Sequence, residues 1–332
     1  MGMRMRPHRW TPPRATARAG QPNSDPALPA LRLLPLPGTA PEDVVLTPDG
    51  HVVTGTEDGT IWRVDPADGT AEKIAHAAGR PLGMHADADG SLLICVAGHG
   101  VFRSVAAGGE LEPVLTEIDG EPIIFPSNVV RDDDGTIYFS ESSRRWPFEQ
   151  WMGDILEHSG SGRLVRRDPG GQVEVLIDGL QFANGVVLAP DLSWVLVAET
   201  GAYRITRYWL AGPRTGTVDH LVENLPGSPD NMSLGSDGLV WVGMVAPRNA
   251  LLDRMLALPG IFRRLAWALP ERLRPAPART AWVIALDSDG TVVHDLQRAG
   301  DDFAMVTSVV EHEGTLYLGS LSESAVAVSA VP

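Results

Sequence analysis

Short apolar runs alternate along the chain with turns rich in Asp and Gly, and the plan recurs six times. The turns fall at Asp49-Gly50, Asp89-Gly90, Asp134-Gly135 and Asp237-Gly238, with Pro190-Asp191 and Glu313-Gly314 at equivalent places. Each introduces a strand-like run: HVVTGTE, SLLICVAG, TIYFSES, SWVLVAET, LVWVGM and TLYLGSL. Segments such as TIWRVDPADGTAEKI and GRLVRRDPGGQVEVLI follow with turns of their own, the pattern of an antiparallel meander. Intervals of roughly 40 to 57 residues, with one longer, suit four-stranded blades and exceed the needs of simple hairpins. The pattern predicts an all-β fold, a six-bladed β-propeller with short helical cap insertions, over residues 29–332.

Two segments break the rhythm. RRWPFEQWMGDILEHSGSG (144–162) places Trp151 and Ile155 at helical spacing and ends in a Gly/Ser turn. PRNALLDRMLALPGIFRRLAWALPERLRPAPART (247–280) reads as two short helices divided at Pro259-Gly260 and halted by Pro270. Its apolar and Arg faces fit either a cap over a pocket or a helix meeting a membrane surface or partner. Residues 1–28, rich in Arg, Pro and Thr and without an apolar run, read as a disordered N-terminal extension.

Composition narrows the function. A formal charge of −15 disfavours nucleic acid, which needs a basic face, and suits a cation site. The single cysteine, Cys95, lies in an apolar run and excludes an intrachain disulfide or a cysteine-based zinc site. Lys73 is the only lysine, in an ordinary strand. No secretory apolar stretch and no run of roughly 18 apolar residues is present, so the expectation is a cytoplasmic protein without a membrane span.

Acidic, amide and hydroxyl side chains stand where the repeats would meet: Glu42 and Asp43 in APEDVV, Ser127 and Asn128 in FPSNVV, Asn184 in FANGVV, Asp230 and Asn231 in SPDNMS. A ring of repeats brings such distant segments to one axis. Calcium takes about six to eight oxygens and accepts carboxylates mixed with amides. Singly, each residue also suits turn chemistry.

From about residue 38 to 325 the chain resembles the strictosidine synthase-like proteins, within the calcium-dependent propeller group of gluconolactonase, regucalcin and the paraoxonases. GRPLGM (79–84), DGEPIIFPSNVV (119–130), GTIYFSESSRRW (135–146), GSGRLVRRDP (160–169), DGLQFANGVVLAPD (178–191), AETGAYRITRYWLAGPRTGT (198–217), NLPGSPDNM (224–232) and EHEGTLYLGSL (311–321) carry the match. The resemblance implies a divalent cation, usually calcium, in the central channel, held by Glu42, Asn184, Asp230 and Asn231. Where metal-binding relatives have Asn-Asp, this chain has Ser127-Asn128; Ser127 ligates, or Asn128 reaches in by a one-residue shift, or water fills the place. Leu82 stands where the paraoxonases carry a histidine, and His85 reads as an ordinary strand residue. Thr307 and Ser308 lie near the place of the catalytic glutamate of strictosidine synthase, which disfavours amine condensation.

The expectation is a calcium-dependent hydrolase of a lactone or related ester, a small-molecule substrate, with Asp230 or Glu42 as general base. Trp146, Phe148, Trp151 and Trp267 are candidate substrate contacts, or the core of the cap. The competing readings are a lyase or condensing enzyme and a noncatalytic, metal-stabilised binding propeller.

Overall fold

Each of the six turn-led runs forms the second strand of a four-stranded antiparallel sheet in the computed structural model, which describes residues 4–104, 109–270 and 278–332. These strands are Val52–Gly55, Leu92–Val96, Ile137–Glu141, Trp194–Glu199, Val240–Pro247 and Thr315–Ser320. Their innermost neighbours are Val44–Leu46, Pro81–Ala86, Pro126–Arg131, Ala183–Leu188, Gly227–Leu234 and Val306–His312. Each innermost strand touches the next and the last touches the first, so the six sheets close into a β-propeller. Arg32–Pro35 from the N-terminal side pairs with Ala325–Ala330 as the outer strand of the last blade, fastening the ring with both ends of the chain.

The core explains the sequence pattern. Apolar side chains collect in clusters between successive blades, as where Val53 and Ile61 of the first blade meet Met84 and Ile94 of the second. A strand sandwiched between two such layers is apolar on both faces, which is why LLICV has no alternation and why Cys95 is buried as a free thiol.

Glycine keeps the inner strands close. An added Cβ at Gly185 would lie 2.4 Å from the Met232 nitrogen and 2.6 Å from the Asp230 carbonyl. Gly185→Ala is expected to cost about 1 to 3 kcal/mol through overpacking, seen as a lower melting temperature without loss of the β circular-dichroism signal.

The cap comprises α1 (Trp151–Glu157), α2 (Ala250–Ala257) and α3 (Ile261–Ala268). Asn249 caps α2, its side chain accepting from the Leu251 and Leu252 amides. Residues 271–277 of the second expected insertion, 247–280, lie outside the described residues.

The N-terminal segment departs from the expected disordered extension over its described part, residues 4–28. Met5 is buried with Trp146 and Leu156, and Trp10 stacks on His158 at 4.3 Å. The His8 amide donates to the Glu157 carbonyl at 2.8 Å, and the Trp10 amide to that of Leu256 at 3.1 Å. Arg263 donates to the His8 carbonyl, Arg248 to that of Pro13, and Arg18 pairs with Asp295. A segment without an apolar run is held here by backbone hydrogen bonds to partners distant in sequence, which local composition does not reveal.

Candidate functional site

The inner strands carry their polar residues at irregular places. Register shifts fall between Pro126 and Val129, between Ala183 and Val186, and between Pro229 and Met232, so Ser127-Asn128, Asn184 and Asp230-Asn231 all sit on bulged backbone. A bulge re-aims side chains that regular pleating would send into the sheet faces. Glu42 and Asp43 arrive on the segment just before Val44–Leu46.

The result is a polar ring in two layers. Glu42, Ser127, Asn184 and Asp230 line a cavity of about 230 Å³ beneath the cap. Asp43, Asn128 and Ser308 line the opposite mouth of the channel, an opening of about 530 Å³. Asn231 joins the layers: its Nδ2 donates to Glu42 Oε1 at 3.3 Å, and its Oδ1 accepts from Asn128 Nδ2 at 3.2 Å. Between Ser127 and Asn128, the cavity-facing residue is Ser127, whose Oγ donates to Asn184 Oδ1 at 3.0 Å. Asn128 instead ties blades together, accepting from the Val186 amide at 3.0 Å and reaching Asp43 at 3.4 Å.

The carboxylates of this ring are buried and strained electrostatically. Glu42 is held well above the usual carboxylate range by desolvation and by the Asp230 charge, with Arg80 and a hydrogen bond from Asn231 pulling the other way. Burial pushes Asp230 up to about 8 despite a hydrogen bond from Asn184. Asp43 rises to about 6, again by burial, although Ser308 and the Met84 and Val44 amides bond to it. Two oxygens of these ring carboxylates remain without a hydrogen-bond partner among the described residues: Glu42 Oε2 and Asp230 Oδ1. Buried anionic oxygens left bare are costly unless a cation meets them.

A hard divalent cation fits this donor set. Glu42 Oε2 and Asp230 Oδ1 offer charge, and the Asn184 amide and Ser127 hydroxyl offer neutral oxygens on the same cavity floor, while Asn231 turns its Nδ2 to Glu42 and its Oδ1 to Asn128. Among the described residues no cluster of three or more His, Cys, Asp or Glu is arranged for a metal, so a cation here would rest on two carboxylates supplemented by amide and hydroxyl oxygens.

The cavity walls are apolar. Phe148 and Trp151 line it, together with Phe125, Phe182, Tyr203 and Leu252. Trp146 and Trp267, expected as substrate contacts, pack edge-to-face on one another at 5.3 Å in the core of the cap and do not line the cavity. The reason is the turn of α1, which places Trp146 against Gly153, where a Cβ would lie 2.4 Å from the indole. Phe125 and Phe182 were not among the sequence candidates, yet a signal was present: each stands two residues before a ring residue, in FPS and FAN. Their rings meet edge-on at 5.4 Å. Arg80, over the Phe148 ring at 4.8 Å, is likewise not a sequence candidate, and Thr307, which the sequence marks only for lacking a carboxylate, donates to the Glu42 carbonyl at 2.5 Å.

Two positions suggested by resemblance are not in the cavity lining. Leu82 is buried in the core between the second and third blades, and His85 lies at the opposite mouth, 3.6 Å from Asp87. In the last blade Glu311 bonds to Ser236 and the Gly314 amide, away from the cavity, while Thr307 occupies the wall.

A six-bladed propeller with a ring of oxygen donors under a capped apolar cavity is the class of protein that this fold and site define. Comparison with known proteins gives the family. The Strictosidine synthase family model matches residues 128–213, and the "Strictosidine synthase-like, N-terminal" model matches residues 21–64. Strictosidine synthase-like protein 10 of Arabidopsis thaliana is 33% identical over 325 residues, covering 88% of this chain and 86% of that one. The human adipocyte plasma membrane-associated protein is 34% identical over 292 residues, covering 80% of this chain and 70% of that one. The chain belongs to the strictosidine synthase-like family.

Among solved structures, a gluconolactonase from Xanthomonas campestris matches with a TM-score of 0.65 at 17% identity, over 92% of this chain and 91% of that one. The calcium-binding protein regucalcin from Agrobacterium tumefaciens matches at 0.62 and 14%, over 90% and 93%. At these identities the likeness establishes the shared propeller. No described helix is long and apolar enough to cross a membrane.

Proposed function

We propose that the protein is a divalent-cation-dependent hydrolase of a lactone or related ester, with calcium the cation its donors suit best. The observation that carries this reading is the pair of unpartnered buried oxygens, Glu42 Oε2 and Asp230 Oδ1, at the floor of an apolar cavity large enough for a small molecule. Glu42, Asn184, Asp230 and Ser127 would hold the ion. When bound, it supplies positive charge that polarises an ester carbonyl and favours the developing oxyanion.

The rest of the work falls to the chain. Phe125, Phe148, Trp151 and Phe182 exclude water and orient the apolar part of the substrate over the ring. The Asp230 carboxylate takes a proton from the attacking water, with Glu42 the other carboxylate placed to do so. The Asn184 side chain fixes the Asp230 carboxyl through its hydrogen bond, and Thr307 fixes the backbone at Glu42. The absence of a carboxylate at Thr307 and Ser308 favours hydrolysis over amine condensation.

A panel of lactones and aryl esters, assayed with and without a chelator, tests the proposal. Chelator-sensitive turnover of at least one substrate is expected; turnover that ignores chelation, or none across the panel from calcium-loaded protein, overturns it. Ser127→Asn is expected to tighten calcium binding roughly threefold to tenfold by exchanging a hydroxyl for an amide oxygen, as read by isothermal titration.

A further inference from the structure

Helix α3 packs Trp267 into the cap core but also buries an arginine and exposes an apolar stripe. Arg263 points inward and is fully buried, its Nη1 donating to the His8 carbonyl at 2.8 Å and the Leu156 carbonyl at 3.1 Å. Ile261, Phe262 and Leu265, which fall within about 100° of the helix circumference, point outward and are 52%, 48% and 60% exposed. Leu251 on the neighbouring α2 is 54% exposed. A surface helix normally buries such a stripe, and the energetic bias is for something apolar to cover this one.

The charge around the stripe identifies the cover. Arg254 and Arg264 are exposed on the two helices, and Arg4, Arg6 and Arg9 are exposed on the segment strapped beside them. Arg9 and Arg264 are held in place by backbone carbonyls, those of Ala257 at 2.8 Å and Met5 at 3.3 Å, which position the guanidinium without neutralising it. Among the described residues none of these five guanidinium groups forms an ion pair with a carboxylate; at Arg6 it is the main-chain amide that donates to Glu157 Oε2, at 2.9 Å. Residues 4–28 and 245–270 together hold nine arginines against two aspartates, in a chain whose formal charge is −15. Of these, Arg18 and Arg248 pair with Asp295 and Asp253 and Arg263 is buried, so the positive charge beside the apolar stripe comes from Arg4, Arg6, Arg9, Arg254 and Arg264.

We infer that the α2–α3 face docks onto the surface of an anionic phospholipid bilayer, with Ile261, Phe262, Leu265 and Leu251 entering the acyl boundary and the arginines meeting lipid phosphates. Apolar side chains flanked by arginines are what interfacial binding requires, and each arginine near an anionic surface adds to it. A second copy joined face to face would set the two arginine clusters against each other. Docking also sets the cavity against the lipid, because Asn249, Leu252 and Leu256 of the same α2 segment line it. The inference is independent of the reaction proposed above.

Cosedimentation of the full chain with phosphatidylcholine vesicles, with and without phosphatidylglycerol, tests it. Binding is expected to the phosphatidylglycerol vesicles and to weaken with salt. Phe262→Asp combined with Leu265→Asp should abolish it, and Arg254→Glu combined with Arg264→Glu should weaken it roughly tenfold or more. All four positions are exposed, and an unchanged melting temperature confirms that each variant folds. Binding equal on neutral and anionic vesicles, binding unaffected by these variants, or none at low salt would overturn the inference. So would self-association, seen by sedimentation velocity, that the Phe262 and Leu265 changes remove while vesicle binding is absent.

Discussion

Asp230→Asn is expected to lower lactone or ester turnover roughly 10²- to 10⁴-fold, the contribution typical of a positioned general base. The change keeps side-chain volume and the hydrogen bond with Asn184 available, so the ring is not emptied. It also removes a carboxylate whose burial beside Glu42 opposes ionisation. The cation-free variant should therefore melt at a higher temperature than the cation-free parent, while catalysis falls. That opposition separates loss of chemistry from loss of fold. Glu42→Gln should behave likewise, since Glu42 Oε2 is the other bare oxygen at the floor. Full turnover by Asp230→Asn with calcium still bound would refute the role given to this carboxylate and return the ring to a purely stabilising one.

The propeller was legible because its repeating unit is written twice, as turn chemistry and as apolar runs at blade spacing. All six second strands start within a few residues of their Asp-Gly or equivalent turns, because a two-sided inter-blade core needs a short apolar strand after each reversal. The ring was legible for a related reason. Ser127, Asn184 and Asp230 occupy one level of the inner strands of the third, fourth and fifth blades, and Glu42 stands just before that of the first, so they appear as polar interruptions at comparable points of four of the six repeats.

What sequence did not disclose depends on contacts between segments with no shared period. Trp146 and Trp267 carry the same signal as Phe148 and Trp151, an aromatic in an insertion. Which pair faces the cavity is decided by how α1 packs on α3, and α3 itself is held by a buried arginine. Similarly, nothing local in MRPHRWTPP marks a strap. The acceptors and donors that fix it, Glu157, Leu256, Arg263 and Arg248, lie at least 140 residues away. Low apolar content predicted a chain unable to build its own core, which is correct of the segment alone and incomplete for the fold.

Without a bound cation, the protein should lose stability as pH rises from about 6.5 to about 8, and calcium should reverse the trend. Asp230 has an ordinary carboxyl pKa of 3.8 when unfolded and about 8 when folded, and Glu42 is likewise raised. Across the interval between those values the folded chain holds protons that the unfolded chain has released. Stability therefore falls with increasing pH until the folded groups ionise. His158 works in the opposite sense: burial lowers it from 6.5 to about 3, so its contribution rises with pH and is complete near 6.5. Above that point the ring carboxylates dominate, which makes the upper interval the informative one. A cation that binds the ionised ring adds stabilisation that grows as pH rises, about 2.7 kcal/mol at a hundred times its dissociation constant. Melting curves in chelator should thus shift down over this interval, and curves in calcium should shift up relative to them by a margin that widens with pH. A melting temperature that climbs through the same interval in chelator, or a calcium effect that shrinks with pH, would mean that Glu42 and Asp230 are not the groups that the cation meets.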